Sequence, residues 1–331
     1  MTDKPDSVGD LFSESVRPAE TTEAESSSKP SSSVMGKLEH IARRAQERKA
    51  QTDSSEDPAD SLLVEEKVKQ EPVSLHLKAW ADDQREAPNE ALRCALFTPR
   101  NRKTPRLSYK NQSVAAYGSA KVTYTGEELR QDDLDVWLQV LHMARDHKLG
   151  EPIRFNANEM KRALGWNWGK KSTERLKTNL TRLQANAVQF QSDRLGKGVS
   201  LSLVNKFEFS NSESDEATND WVIEIDPDIA KLFGGGIYST RLEWEQRLEI
   251  NGDLAKWLHG FYSSHREPHD IKVDLLLTTS GSQVANKHKA KQMLIAAHEE
   301  LVRVKFLTEY RVTAEGKFSV KRPPKAVKKQ D

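Results

Sequence analysis

The chain has 331 residues, 36% of them hydrophobic and 31% charged, with a mean hydropathy of -0.74 and a net charge of +1, which suits about two soluble domains. Its one cysteine, Cys94, excludes an intramolecular disulfide and any cysteine-rich zinc site. No apolar run nears the roughly 18 residues of a membrane span, and the start carries Asp and Ser where a signal peptide would be basic then apolar; a cytoplasmic protein with no membrane contact is expected.

Residues 1–70 hold 15 acidic against 10 basic side chains, and Phe12 is their sole Phe, Trp or Tyr. Burial cannot repay the ordering entropy of such a composition. A disordered acidic extension over 1–72 is therefore expected, with a helical island over 34–50 where Met35, Leu38, Ile41, Ala42 and Ala45 recur at helical spacing.

A first folded unit is expected over 73–212. It contains a basic run, Arg100, Arg102, Lys103, Arg106 and Lys110, with no acidic residue between 97 and 110. A strand over Lys121–Thr125 leads to a helix over Gln131–His147, a short strand Ile153–Phe155 and a helix ending at Gly165. The next helix places Leu176, Leu180, Leu183 and Ala187 on one face and Lys171, Arg175, Thr178 and Arg182 on another, about 140° away at about 100° per residue. Ser172 or Thr173 would cap it, leaving free N–H groups beside Lys170 and Lys171. Alternating runs Ala187–Gln191 and Ser200–Phe209 then read as a hairpin whose tip carries Arg194 and Lys197.

After a polar stretch, a second unit over 213–322 opens with a strand at Trp221–Ile225 and passes the Gly234–Gly236 breaker. A helix around Leu254, Trp257, Leu258 and Phe261 precedes Glu267-Pro268, a strand Ile271–Val273 and a helix ending at Gly281. The following helix, expected over Val284–Arg303, packs through Ala290, Met293, Leu294, Ala297 and Leu301 and crowds Asn286, Lys287, Lys289 and Lys291 into its first half. Runs at 304–312 and 317–321 would make a second hairpin, with a basic tail over 323–331.

The two units repeat one order. Pro152 to Gly165 and Pro268 to Gly281 are both 13 residues, with the copies offset by 116. Helix, strand, helix, basic helix and two-stranded wing is the order a winged helix-turn-helix needs to seat its third helix in a major groove. The fold class expected is α+β, two tandem winged-helix domains behind a disordered N-terminal extension. The DNA-binding residues expected are Lys170, Lys171, Thr173, Arg175, Thr178, Arg182, Arg194 and Lys197 in the first unit and Ser282, Gln283, Asn286, Lys287, Lys289 and Lys291 in the second. The chain carries no Gly-x-x-x-x-Gly-Lys-[Ser/Thr] loop, no His-x-His pair and no Gly-x-Ser-x-Gly. A binding protein without cofactor, metal or catalytic residue is expected.

At Ala95–Arg106, Val122–Arg130, Ala185–Arg194 and Tyr262–Pro268 the sequence closely resembles the TrfA family of plasmid replication initiators, over about Trp80 to Arg322. Thr125-Gly-Glu-Glu-Leu-Arg130 and Ser263-Ser-His-Arg-Glu-Pro268 are the most specific segments. The resemblance implies a protein that binds tandem direct repeats (iterons) in double-stranded DNA, helps open a nearby AT-rich stretch as single strands, and recruits the host helicase and host initiator. It also implies copy-number control through an inactive homodimer. The family's clamp-binding Gln-Leu-x-Leu-Phe is not matched at 71–77, where Glu71-Pro-Val-Ser-Leu75 lacks the Gln and Phe, so a sliding-clamp contact there is weakly encoded. Two rivals remain open: a dimeric repressor on a palindromic operator, and an adaptor whose winged helices bind only protein.

Overall fold

The computed structural model describes residues 76–210 and 220–324. The expected extension over 1–72 with its helix at 34–50, most of the clamp-like stretch and most of the basic tail lie outside the described residues.

The first half opens with strand β1 (Gln84–Pro88), helix α1 (Asn89–Leu92), strand β2 (Phe97–Thr98) and the antiparallel pair β3 (Ser108–Val114) and β4 (Lys121–Glu127). Strand β5 (Leu129–Arg130) feeds helix α2 (Gln131–Ala144). The first turn of α2 holds Asp132 and Asp133, suited to the positive end of the helix dipole. Trp137, Leu138, Val140 and Leu141 are all fully buried and make α2 the axis of the first core.

Strand β6 (Ile153–Asn156) follows, and the Asn156 side chain caps helix α3 (Ala157–Ala163) by accepting from the N–H groups of Asn158 and Glu159. Helix α4 (Lys170–Gln184) begins right after Gly169, whose φ of 124° is open to glycine and strained for other residues. Ser172 and Thr173 thus lie inside the first turn, and both donate their N–H to the Gly169 carbonyl, so neither is the cap the sequence suggested.

The run Ser200–Phe209 is two strands and not one. After β7 (Ala187–Gln191) and β8 (Val199–Leu201), the chain turns at 202–205 to bury Leu203 and Val204 beneath the end of α4, with the Val204 N–H donating to Leu183 O. Strand β8 pairs with β7 in a four-stranded sheet of order β3-β4-β7-β8, whereas β9 (Lys206–Glu208) pairs with β10 (Asp220–Glu224), which pairs with β6.

Helix α5 (Ile229–Phe233), strand β11 (Ser239–Glu243) and helix α6 (Trp244–Glu249) complete this half, with β11 antiparallel to β1 from Gln84↔Glu243 to Pro88↔Ser239. One core runs from Leu77 to Trp244 and a second starts at Ile250. The first core therefore continues past the boundary expected at 212/213, as far as Trp244. Strand β10, expected to open the second unit, is the middle strand of a first-half sheet because Trp221 and Ile223 are buried there.

The second half is helix α7 (Asp253–Ser263), strand β12 (Ile271–Lys272), helix α8 (Val273–Ser280), helix α9 (Lys287–Arg303) and the hairpin β13 (Glu309–Val312) with β14 (Lys317–Lys321). Its sheet order, β12-β14-β13, repeats β6-β10-β9. The helix, strand, helix, helix order thus occurs twice, followed directly by the hairpin in the second copy and, after β7 and β8, by β9–β10 in the first; Gly165 and Gly281 follow the second helix of each copy at φ of 68° and 72°.

Helix α7 fastens the halves together. Trp257 Nε1 donates to Cys94 O at 3.2 Å, and Asp135 of α2 accepts from Arg247 at 2.7 Å and Lys256 at 2.5 Å. Burial opposes the charge on Asp135, but Lys256 and Arg247 together outweigh it and hold its carboxyl below the usual range. Cys94 is fully buried, and burial pushes its thiol up to about 12. Among the described residues no helix is long and apolar enough to cross a membrane, and no three His, Cys, Asp or Glu gather to hold a metal ion.

Candidate nucleic-acid interface

Helices α4 and α9 hold the same place in the two copies, but their cations are in different states. The buried side of α4 is Leu176, Asn179, Leu180 and Leu183. Arg182 leans off its exposed face onto α2, at 2.5 Å from Asp133 and 3.1 Å from Glu127. Arg175 lies 3.6 Å from Asp132 and stacks 3.9 Å above the Trp166 ring. Arg106 reaches the same two aspartates at 3.2 and 2.6 Å. Burial opposes the Asp132 charge, but the guanidinium groups of Arg106, Arg102, Arg175 and Arg182 outweigh it and hold its carboxyl below the usual range. Burial and then the Asp132 charge push the Asp133 carboxyl up.

The expected basic face of α4 is consequently divided. Arg175 and Arg182 are held by α2, and Thr173 accepts a hydrogen bond from Lys161 at 2.8 Å. Lys170, Lys171 and Thr178 are exposed, but so is Glu174, which faces outward beside them. Arg194 is a structural clamp: it pairs with Glu90 at 2.5 Å and donates to the carbonyls of Lys231 and Leu232. Lys197 is exposed, on the β7–β8 connection and not on the hairpin that matches β13–β14. That matching hairpin, β9–β10, contained none of the expected contacts. The carboxylates that capture these arginines are distant in sequence, and the hairpin is displaced because the run over 200–209 breaks at 202–205 into β8 and β9, which join different sheets.

Helix α9 is simpler. It begins at Lys287 rather than Val284, because Asn286 caps it by accepting the Lys289 N–H at 2.9 Å. Residues 282–286 form the turn after Gly281, where the Ser282 N–H is taken by Leu277 O and Gln283 is exposed. Lys287, Lys289 and Lys291 are all exposed, and no carboxylate pairs with them among the described residues. At about 100° per residue, Lys287 and Lys291 fall on one flank, Lys289 on the other, and His288 and Gln292 midway between them. Both of these are exposed and were not among the expected contacts. Their signal was an i, i+4 polar pair opposite the buried Ala290, Leu294, Ala297 and Leu301.

The result is an exposed helix start with outward N–H groups, three free ammonium groups and two hydrogen-bonding side chains between them. Such a surface suits the negative potential of a groove floor and its flanking phosphates.

The TrfA protein family model matches residues 42–321. The plasmid replication initiator protein TrfA of Escherichia coli is 35% identical over 241 residues, which is 72% of this chain and 62% of that protein; the chain thus matches less than two thirds of that relative's length. Among solved structures, domains 2 and 3 of RctB superpose with a TM-score of 0.50 at 13% identity, over 71% of this chain and 96% of that one. The Pi initiator protein in complex with iteron DNA superposes with a TM-score of 0.43 at 13% identity, over 57% of this chain and 92% of that one. The RctB likeness is one of fold. The match over 42–321 spans both copies of the repeated unit and α9 itself, and the chain belongs to the TrfA family.

Proposed function

We infer that the protein is a plasmid replication initiator that binds tandem direct repeats in duplex DNA through two winged-helix units, 76–249 and 250–322. The observation that carries this reading is the start of α9, where Lys287, Lys289 and Lys291 stand free around His288 and Gln292 on the third helix of the unit. In this reading α9, with Ser282, Gln283 and Asn286 in the turn before it, reads one major groove. Helix α4 holds the adjoining groove through Lys170, Lys171 and Thr178. Gln and Asn suit adenine, Lys suits guanine or phosphate, and the His288 ring nitrogens offer a further hydrogen bond. The prior copy contributes position more than sequence readout, since two of its four expected face residues are occupied by α2. Opening of an adjoining AT-rich stretch and recruitment of the replicative helicase follow from family membership, which supports them alone.

Footprinting on the protein's own replicon tests the reading: evenly spaced direct repeats should be protected, and Lys289→Ala should weaken binding to a single repeat by about 1 to 3 kcal/mol. A lone protected palindrome would replace the initiator with a repressor. An unchanged affinity for Lys289→Ala would move the interface off α9.

A further inference from the structure

The basic loop between β2 and β3 has no place in a two-helix footprint, yet it is held by its own turn and by a buried arginine. Prolines 99 and 105 bound it. Inside, Asn101 Oδ1 accepts the Lys103 N–H at 2.8 Å, and Asn101 O accepts the Thr104 hydroxyl at 2.7 Å, a side-chain-closed turn. From below, Arg130, 2% exposed, donates to the carbonyls of Asn101, Thr104 and Pro105 at 2.8, 3.0 and 3.1 Å, and Glu128 balances its charge at 2.7 Å. Arg100 is tied to the same Glu128 at 3.2 Å. A buried guanidinium spending three donors on one loop fixes where its tip points.

At that tip Arg102 and Lys103 are exposed. Arg102 keeps about half of its side chain in solvent, with Asp253 at 3.9 Å its one paired carboxylate, and Lys103 has no ion pair among the described residues. On one side the loop meets α4 through Asp132, which lies 3.2 Å from the loop's Arg106 and 3.6 Å from Arg175 of α4. On the other, the loop lines a cleft with Met293 and Ala296 of α9. It therefore stands between the two helices assigned to successive major grooves.

Successive major grooves on one face of B-DNA are about 34 Å apart, and the minor groove between them turns toward whatever joins the two helices. That groove is about 6 Å wide, narrower and more negative over A·T runs, and takes single Arg or Lys side chains. The geometry points to Arg102 and Lys103 as a minor-groove probe that enters the duplex between the sites of α4 and α9 and favours A·T pairs there. This rests on the duplex-binding reading above and adds a third contact, with its own base preference, to it.

The test uses the full chain on a single repeat, comparing wild type with Arg102→Ala/Lys103→Ala and with Arg102→Lys. Hydroxyl-radical cleavage reads minor-groove protection, guanine methylation reads the major grooves, and a thermal melt checks folding, which two exposed side chains should not alter. The double variant should keep both major-groove signals, lose protection between them, bind about tenfold more weakly, and show a salt slope shallower by about 1 to 2. Arg102→Lys should retain most of the affinity. Replacing the intervening A·T pairs with G·C, which puts an amino group in the minor groove, should weaken wild type, whereas inosine·C should not. Both replacements should leave the double variant unmoved. Wild-type protection with an indistinguishable double variant overturns the probe and spares the two-helix reading. A wild type that protects no repeat overturns both.

Discussion

A cation's work is decided by which carboxylates reach it. Arg182 and Lys289 lie on equivalent helices, but Asp133 stands 2.5 Å from the first and, among the described residues, no carboxylate pairs with the second, so one supports the fold and the other meets solvent. His298 obeys the same logic with a proton. Its Nδ1–H donates to Leu294 O at 2.6 Å, its Nε2 takes the Tyr262 hydroxyl at 2.8 Å, and its ring stacks on Phe318 at 4.1 Å. Burial lowers its pKa from 6.5 to about 4. A histidine so depressed binds fewer protons folded than unfolded, so its contribution is complete above the unfolded value and is lost as pH falls toward 4. Between pH 7 and 5 this amounts to about 2 kcal/mol. Urea midpoints should fall over that range, and His298→Gln should be less stable at pH 7 and lose less on acidification; an equal loss in both proteins would remove His298 from the account.

Among the elements, α4 shows what a sequence can and cannot disclose. Its packed side was legible from the spacing of Leu176, Leu180 and Leu183, and so was the helix order of both copies, because side-chain period is local. The fate of Arg175 and Arg182 was not, since Asp132 and Asp133 lie about 40 to 50 residues upstream and meet them only after α2 packs. Strand pairing hid the first hairpin in the same way: β9 and β7 both alternate, and only the turn at 202–205 sends them to different sheets. Helix α9 was more readable because its exposed face depends on nothing distant, though fixing its start needed the Asn286 cap. One consequence belongs to α4 alone. Glu174 is exposed beside Lys170, Lys171 and Thr178 and pairs with Lys177 at 3.6 Å; if α4 holds DNA as proposed it would oppose the phosphate backbone, so Glu174→Gln should tighten repeat binding about two- to fivefold at low salt and lose that gain as salt rises. Equal affinity at every salt concentration would place α4 away from DNA.

Over the whole molecule, the two halves share a buried charge. Asp135 on α2 faces Arg247 and Lys256, and Arg247 is fully buried. Removing one member of such a group leaves the others uncompensated, at a cost of about 3 to 5 kcal/mol. Asp135→Ala should lower the unfolding free energy by that cost, and the urea midpoint with it, and should split unfolding into two transitions where wild type shows one, followed by the fluorescence of the buried tryptophans. A variant with wild-type stability and one transition would show that the halves do not depend on this buried charge.

The pairing of β1 with β11 sets the order of assembly during synthesis. Gln84 meets Glu243, so the N-terminal core stays open until the ribosome has made nearly all of its sheet partners, and long-range pairing of this kind is slow to form. A nascent chain halted at residue 212 would lack β10 and β11 and expose β1 and β6 as unpaired edges. Translation of this protein thus leaves those edges unpaired until late, and chaperone demand should peak before residue 243 emerges and fall once it does.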